Sequence, residues 1–475
     1  MSHPPPPITN RPAPVSERPI GTFLAGVALV LVVFSHLIWS SPEYRQQHLL
    51  LGSLLALLAF TPVFWPVLRN SGGPGWTFVT GLMLAHAACW VGGVFHGTGL
   101  LAATTATAQG LIGVAGLAVI TTVLLDARWH RYAKWTAFSV LTVLTLGSLI
   151  GYFISIERYI VLGGYAEYFS PVRIALIWPT RMLTAGFGQI SWDNTNYAAY
   201  GFALAFVLIL ESLAKPTSGR RWLRWCWCGL LCTLVFLTAS RNGGLMIALA
   251  LPVILIRRPL RFTATTLLVM AAGGAIGYAA LQTKLSMIPA PPPPAATPGK
   301  AKPLVPPKPK PKPVRPPPTA AAHSSEYLQR ASAGRTLAYR LLWEDLEGAR
   351  CCGTGLAAAG KPVLFRRKPP FYLTHEHSSF MATLRCGGLL ALAGHALVLL
   401  AATWCALRLL RRGLRWPAVL MAAALGGLLF DRSTVLGLTG NYEFISHWVA
   451  VLIPLVLASQ PNSPPPGNPD DGSKL

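Results

Sequence analysis

Charge is almost absent from long stretches of this chain, and that limits its fold more than any other feature. Of 475 residues, 52% are hydrophobic and only 12% charged, about half the charged share of a soluble domain. A membrane-crossing helix needs roughly 20 mostly apolar residues. Twelve runs are candidates by that ruler, some of them short, near 20–40, 48–68, 75–95, 106–125, 135–155, 197–214, 222–239, 242–256, 262–282, 387–407, 416–430 and 445–460. The expected fold is therefore an all-α polytopic membrane protein of about 12 transmembrane helices. The pair 222–239 and 242–256 is separated only by a short Ser-Arg-Asn turn. The first run follows a proline-rich segment with no clear small-residue cleavage site, so it reads as an uncleaved first span.

Lysine and arginine in short loops set orientation. With residues 1–19 inside and the spans alternating, eighteen of the forty basic residues fall in inner segments and six in short outer ones. Both termini, the second being 461–475, then lie inside, and one wide loop, 283–386, lies outside. That loop holds the other sixteen basic residues; long loops cross largely regardless of charge.

Within the wide loop, residues 289–321 are mostly proline, alanine and lysine. Such a segment buries little apolar surface and reads as an extended, disordered insert, a spacer or a binder of acidic groups. Residues 332–348 then read as a short amphipathic helix, with Tyr339, Leu342, Trp343 and Leu346 at helical spacing and Gly348 as its stop. The other sizeable outer loop, 156–196, has interfacial aromatics together with Arg173 and Arg181. Cys89, Cys226, Cys228, Cys232 and Cys405 read as small apolar residues within spans. In an oxidising compartment Cys351 or Cys352 is a candidate to pair with Cys386, and which of them, if either, stays open. No zinc spacing, phosphate-binding glycine loop or nucleophile elbow is present.

Several cations gather on the outer side of this apolar body. Arg241 follows a span and precedes Gly243 and Gly244, and Arg181 lies in the loop before the sixth span. Arg335 and Arg340 belong to the amphipathic helix, and His375 and His377 flank Glu376 just before the tenth span. Arginine forks suit phosphate oxygens, and histidine suits proton transfer near neutral pH. The substrate implied is a lipid-linked phosphate compound with its chain in the bilayer and its head at the outer surface.

The stretch Thr-His-Glu-His-Ser-Ser, 374–379, with the glycine that follows it, resembles the bacterial O-antigen ligase and O-antigen polymerase superfamily. The ligase pattern is His, then Asn, Ser or Gln, nine residues, then Gly. His377, Ser378 and Gly388 fit it, and Ala391 stands where Gly, Thr or Tyr usually closes it. Ser240 and Arg241 resemble the superfamily's Ser-Arg-small-small segment; Arg181 and Asn196 resemble its outer loop; Arg335 resembles the large-loop arginine upstream of a Gly-x-Gly. The resemblance spans roughly 135–400.

That resemblance implies an inverting glycosyltransferase of the bacterial inner membrane, with a large periplasmic loop and a periplasmic site. Its donor would be a glycan on undecaprenyl pyrophosphate and its acceptor lipid A-core. His377 would be the catalytic base, and Arg181, Arg241 and Arg335 would bind the pyrophosphate. Arg340, Asn196, Glu376 and Ser378 would be supporting residues. No cofactor or nucleic acid is expected, and no metal either, because none of the sixteen acids forms the Asp-x-Asp pair that metal-using transferases carry. Polymerase and protein O-oligosaccharyltransferase activities stay open within the superfamily. A lipid-linked glycan transporter or flippase stays open outside it. Such a carrier needs polar residues inside its spans, and Glu211, His36 and His86 are the ones singled out.

Overall fold

The computed structural model describes residues 42–58, 60–125, 195–213, 221–238, 240–286, 335–358, 363–365, 371–373, 378–429, 435–438 and 442–460, plus positions 27, 142, 145 and 146. The expected spans near 20–40 and 135–155, the 156–196 loop and the proline insert lie almost wholly outside the described residues.

The helices are α1 (Pro42–Leu57), α2 (Phe60–Val63), α3 (Trp65–Ser71), α4 (Gly73–His96), α5 (Leu100–Leu124), α6 (Thr195–Leu213) and α7 (Arg221–Leu237). They continue with α8 (Arg241–Leu255), α9 (Leu260–Ser286), α10 (Arg335–Asp345), α11 (Ser379–Arg411), α12 (Trp416–Leu428) and α13 (Tyr442–Ser459). Among the described residues four helical stretches are long and apolar enough to cross a membrane: Gly73–His96, Leu100–Leu124, Leu260–Ala280 and Ser379–Arg411. The run near 48–68 is not one continuous helix but α1 followed by two short helices. Pro62 and Pro66, which lack a backbone N–H, stand where it breaks. A second departure is a small antiparallel hairpin in the wide loop, β1 (Val363–Phe365) with β2 (Phe371–Leu373), Val363 facing Leu373. Its two apolar, aromatic-rich triplets flank Arg-Arg-Lys-Pro-Pro, a strand-turn-strand composition.

Two packed groups share one central helix. In the first, α1–α5, α11 and α13 surround Leu49, Phe64, Phe78, Leu117, Phe444 and Trp448. In the second, α6–α9 bury Phe202, Phe206, Leu231, Leu234 and Met246. Helix α12 is apolar all round, so every face of it is buried. Val419 and Ala423 meet the second group, Met421 and Leu428 the first, and Leu420 and Ala424 meet Ala450 of α13. Its 13 residues rise only about 20 Å, short of a hydrocarbon core of roughly 30 Å. A helix enclosed by protein need not match that thickness. Helix α9 is the opposite case: Leu268 is 70% exposed and Ile276 60%, the surface a bilayer would cover.

The tightest pairing is α4 with α11. Small residues permit it: a methyl on Gly81 would lie 2.6 Å from the Gly394 carbonyl oxygen, and one on Gly394 2.6 Å from the Ala85 nitrogen. Close backbone approach of this kind is how helices pack where lipid removes the hydrophobic incentive. Helix α11 also starts well before the expected 387, at Ser379, and is broken at Gly388 (φ 62, ψ −159). The break leaves backbone groups without helical partners, and residues 350–355 supply them. Leu389 and Leu390 donate to the carbonyls of Arg350 (2.8 Å) and Cys351 (3.1 Å). In return Thr354 and Gly355 donate to Arg385 (2.8 Å) and Cys386 (2.7 Å).

Gly388 is irreplaceable on two counts. Its dihedrals are nearly closed to residues with a Cβ, and an added methyl would meet the Cys351 carbonyl. Gly388→Ala is expected to lower stability by about 2 kcal/mol or more, read as the melting temperature of the purified protein in detergent. Gly274→Ala in α9, where an added methyl meets nothing within 4 Å, is expected to leave it unchanged or raise it.

Candidate functional site

Helix directions bring the candidate residues to one end of the bundle. Ala199 near the start of α6 lies against Gly243 in the first turn of α8, so these helices start side by side. Asn242 Nδ2 donates to the Gly427 carbonyl at 3.4 Å, which sets the start of α8 beside the end of α12. Helix α12 runs back from the end of α11 through a short turn, so the start of α11 lies at this same end. Helix α10 rests there too, with Ala338 and Leu342 packed on Met381. Asn196, Arg241, Arg335 and Ser378 thus occupy helix starts at one end, called here the upper end. Helix starts carry a partial positive charge from their unpaired N–H groups, so an anion set directly against one of them is favoured.

Ser378 is the N-cap of α11, extended at φ −157 and ψ 133, 4% exposed, and its hydroxyl makes no capping hydrogen bond. Ser240 caps α8 in the same extended form, again with no capping bond from its buried hydroxyl. Arg241 and Arg335 are the first residues of α8 and α10, and Asn196 the second of α6; the description of these three stops at the backbone. Arg181, His375, Glu376 and His377 lie outside the described residues. Arg340 forms an exposed i,i+4 pair with Glu344 (Nε–Oε1 2.8 Å). Such pairs add little stability, and this one holds Arg340 on the solvent face of α10.

Ala338 and Leu342 of that helix and Leu346 just after it are buried, and Gly348 at φ 89 lies in the turn that follows. Trp343, expected on the packed face, is 39% exposed. It instead carries the Arg350 guanidinium, 4.7 Å above its ring. Cys351 and Cys352 do not pair with Cys386; all eight cysteines are free. Cys386 is buried with Cys89 in the α4–α11 core, whereas Cys351 is exposed. Partial burial, then a hydrogen bond with Cys351, pushes the Cys352 thiol up. Reactive cysteines show the reverse shift.

The sequence reading passed over two cations at this end. Arg350 lies in the segment that fills the helix break, and Arg385 is 8% exposed between Ser378 and Gly388. It also passed over two histidines hidden in apolar runs. His395 of α11 and His447 of α13 are fully buried, with their Nε2 atoms 3.3 Å apart, so one ring donates and the other accepts. His86 of α4, 1% exposed, has the Leu82 carbonyl 2.9 Å from Nδ1 and the Leu436 carbonyl 3.1 Å from Nε2. A neutral ring donates to one of the two. Trp448 Nε1 donates to the Val435 carbonyl (2.7 Å) and, in the Nε2–H tautomer, His86 donates to that of Leu436; these bonds hold the buried, non-helical segment 435–438 inside the bundle. Among the described residues, no three His, Cys, Asp or Glu side chains are grouped so as to hold a metal.

The chain was compared with protein-family models, with curated proteins and with solved structures, and none of them matches it.

Proposed function

We propose that the chain is an inverting glycosyltransferase of the bacterial inner membrane, similar to O-antigen ligases. In this reading it has about 12 spans, both termini in the cytoplasm and the upper end of the bundle in the periplasm. The donor is a glycan on undecaprenyl pyrophosphate and the acceptor is lipid A-core. One observation carries the reading: helix starts bearing Asn196, Arg241, Arg335 and Ser378 gather at a single end of an apolar bundle. The proposed base, His377, directly precedes Ser378 in the chain.

The chemistry follows from the groups. The acceptor hydroxyl oxygen attacks the anomeric carbon from the face opposite the diphosphate and passes its proton to His377. The anomeric C–O bond breaks as the new one forms, and its electron pair leaves on the diphosphate. Arg181, Arg241 and Arg335 stabilise that growing charge, helped by positive helix starts. Arg350 and Arg385 add cationic charge at this end, and Arg340 is left to its surface pair with Glu344.

Buried His86, His395 and His447 favour a second reading. Ionisable residues inside a membrane bundle commonly mark a transport or proton path, which fits a carrier of lipid-linked glycan. The two readings separate in proteoliposomes given a fluorescent lipid-linked saccharide. A carrier moves it across the bilayer with no acceptor present and loses this in His395→Gln. A transferase joins it to lipid A-core supplied on the same side.

Purified His377→Ala is expected to lose ~10²–10⁴ in transfer rate while still folding in the membrane; wild-type turnover would remove the mechanism. Arg241→Lys and Arg335→Lys are expected to rescue poorly, since lysine keeps the charge but loses the two-pronged fork. Full activity in either would reduce that contact to simple charge attraction.

Transfer is also expected to survive excess EDTA, because arginines do the neutralising work. Activity lost with EDTA and restored by magnesium or manganese would turn attention to Glu376 and to Glu344, Asp345 and Glu347.

A further inference from the structure

At the lower end of the bundle two turns are locked together. The first joins α8 to α9 and contains Arg257, Arg258 and, just inside α9, Arg261. The second joins α11 to α12 and contains Arg411, Arg412 and Arg415. Arg415 Nη1 donates to the Ile256 carbonyl at 2.8 Å, so the second turn grips the first. Arg258 is taken up by the structure: its Nη2 lies 3.2 and 3.3 Å from the two carboxylate oxygens of buried Glu211, and its Nε donates to Ile254. Residues in the left-handed region close both turns, Arg257 at φ 58 and Gly413 at φ 84.

Four arginines remain. Arg257, Arg261, Arg411 and Arg412 are exposed, and among the described residues no ion pair involves any of them. Their charges are concentrated on two turns held in fixed register, with the local acid, Glu211, already engaged. The surroundings are not those of a water-facing patch. Ile256 and Leu260, on either side of Arg257, are 55% and 82% exposed. Trp222 is exposed near the start of α7, and Trp225 meets Phe262 at a tilt with ring centres 5.6 Å apart. Helix α7 starts at this end, since Arg221 Nη2 reaches the Leu213 carbonyl at the end of α6 (3.2 Å). Exposed indoles beside cations and aliphatic side chains mark the depth of lipid headgroups.

We infer that the paired turns 256–261 and 411–415 form a binding site for an anionic phospholipid, with the phosphate between Arg257, Arg261, Arg411 and Arg412 and the acyl chains along Ile256 and Leu260. Guanidinium forks match phosphate oxygens in pairs, and the flanking apolar side chains require a ligand with hydrocarbon attached. A free phosphate satisfies only half of this surface. The inference does not depend on the chemistry at the upper end.

The test is native mass spectrometry of the full-length protein in detergent with equal amounts of phosphatidylglycerol and phosphatidylcholine. The wild type is expected to retain phosphatidylglycerol about tenfold over phosphatidylcholine, given the attraction of each basic side chain for anionic headgroups. The double variant Arg257→Gln, Arg412→Gln is expected to lose most of that preference, and these exposed positions leave the core untouched. Arg69→Gln removes an exposed arginine of α3 outside the paired turns and is expected to keep it. A preference that survives in the double variant overturns the site. Equal loss in Arg69→Gln reduces it to diffuse surface charge and overturns it as well. Displacement of phosphatidylglycerol by millimolar inorganic phosphate at an equal level overturns the lipid as occupant.

Discussion

The exchange of backbone hydrogen bonds between Gly388 and the 350–355 segment is the constraint on which the rest of the architecture depends. A helix broken inside an apolar body exposes donors and acceptors that nothing in hydrocarbon can satisfy. Here the wide loop returns and satisfies four of them, at Arg385, Cys386, Leu389 and Leu390. That contact ties α11 to the end of α10 through Arg350 and Trp343. It also brings Gly353 and Gly355 into backbone contact with α11 and α4. The upper end is thereby built from both sides of the long loop, although the residues that meet are far apart in the chain.

The two ends of the bundle differ in how they present positive charge. At the upper end it comes from helix starts, with cations distributed among several elements, one stacked on Trp343 and one buried in α11. At the lower end it comes from exposed arginines on two stapled turns, beside a single buried ion pair between Arg258 and Glu211. Dispersed, partly buried donors suit a phosphate group in a formed site. Clustered exposed arginines suit a charged lipid surface. Under the two proposals made above, the same residue type would serve two chemistries, separated by burial.

Between the ends the interior is held by small residues and polar contacts rather than by large side chains alone. Gly81, Ala85 and Gly394 let α4 and α11 approach closely. Trp448, joined by His86 in its Nε2–H tautomer, retains the irregular segment 435–438 by its carbonyls, and His447 meets both His395 and Trp448 edge-on, with ring centres 5.2 Å apart in each pair. Irregular backbone inside such a body persists only where its polar groups are met.

The sequence by itself determined the helical, membrane-type architecture, because hydrophobic periodicity and charge exclusion are local properties that each run carries on its own. It also marked Gly348 as a helix stop, while Gly388 was singled out only by the resemblance to the ligase pattern. Tertiary structure decided the rest. It divided the run near 48–68 at its prolines and moved the start of α11 back to Ser379. It turned Trp343 outward to carry Arg350, and it left Cys386 beside Cys89 instead of paired with Cys351 or Cys352. It also joined His395 to His447 and added Arg350 and Arg385 to the upper end. These outcomes depend on partners remote in the chain, and apolar patterning reports which face of a helix is buried without naming what buries it.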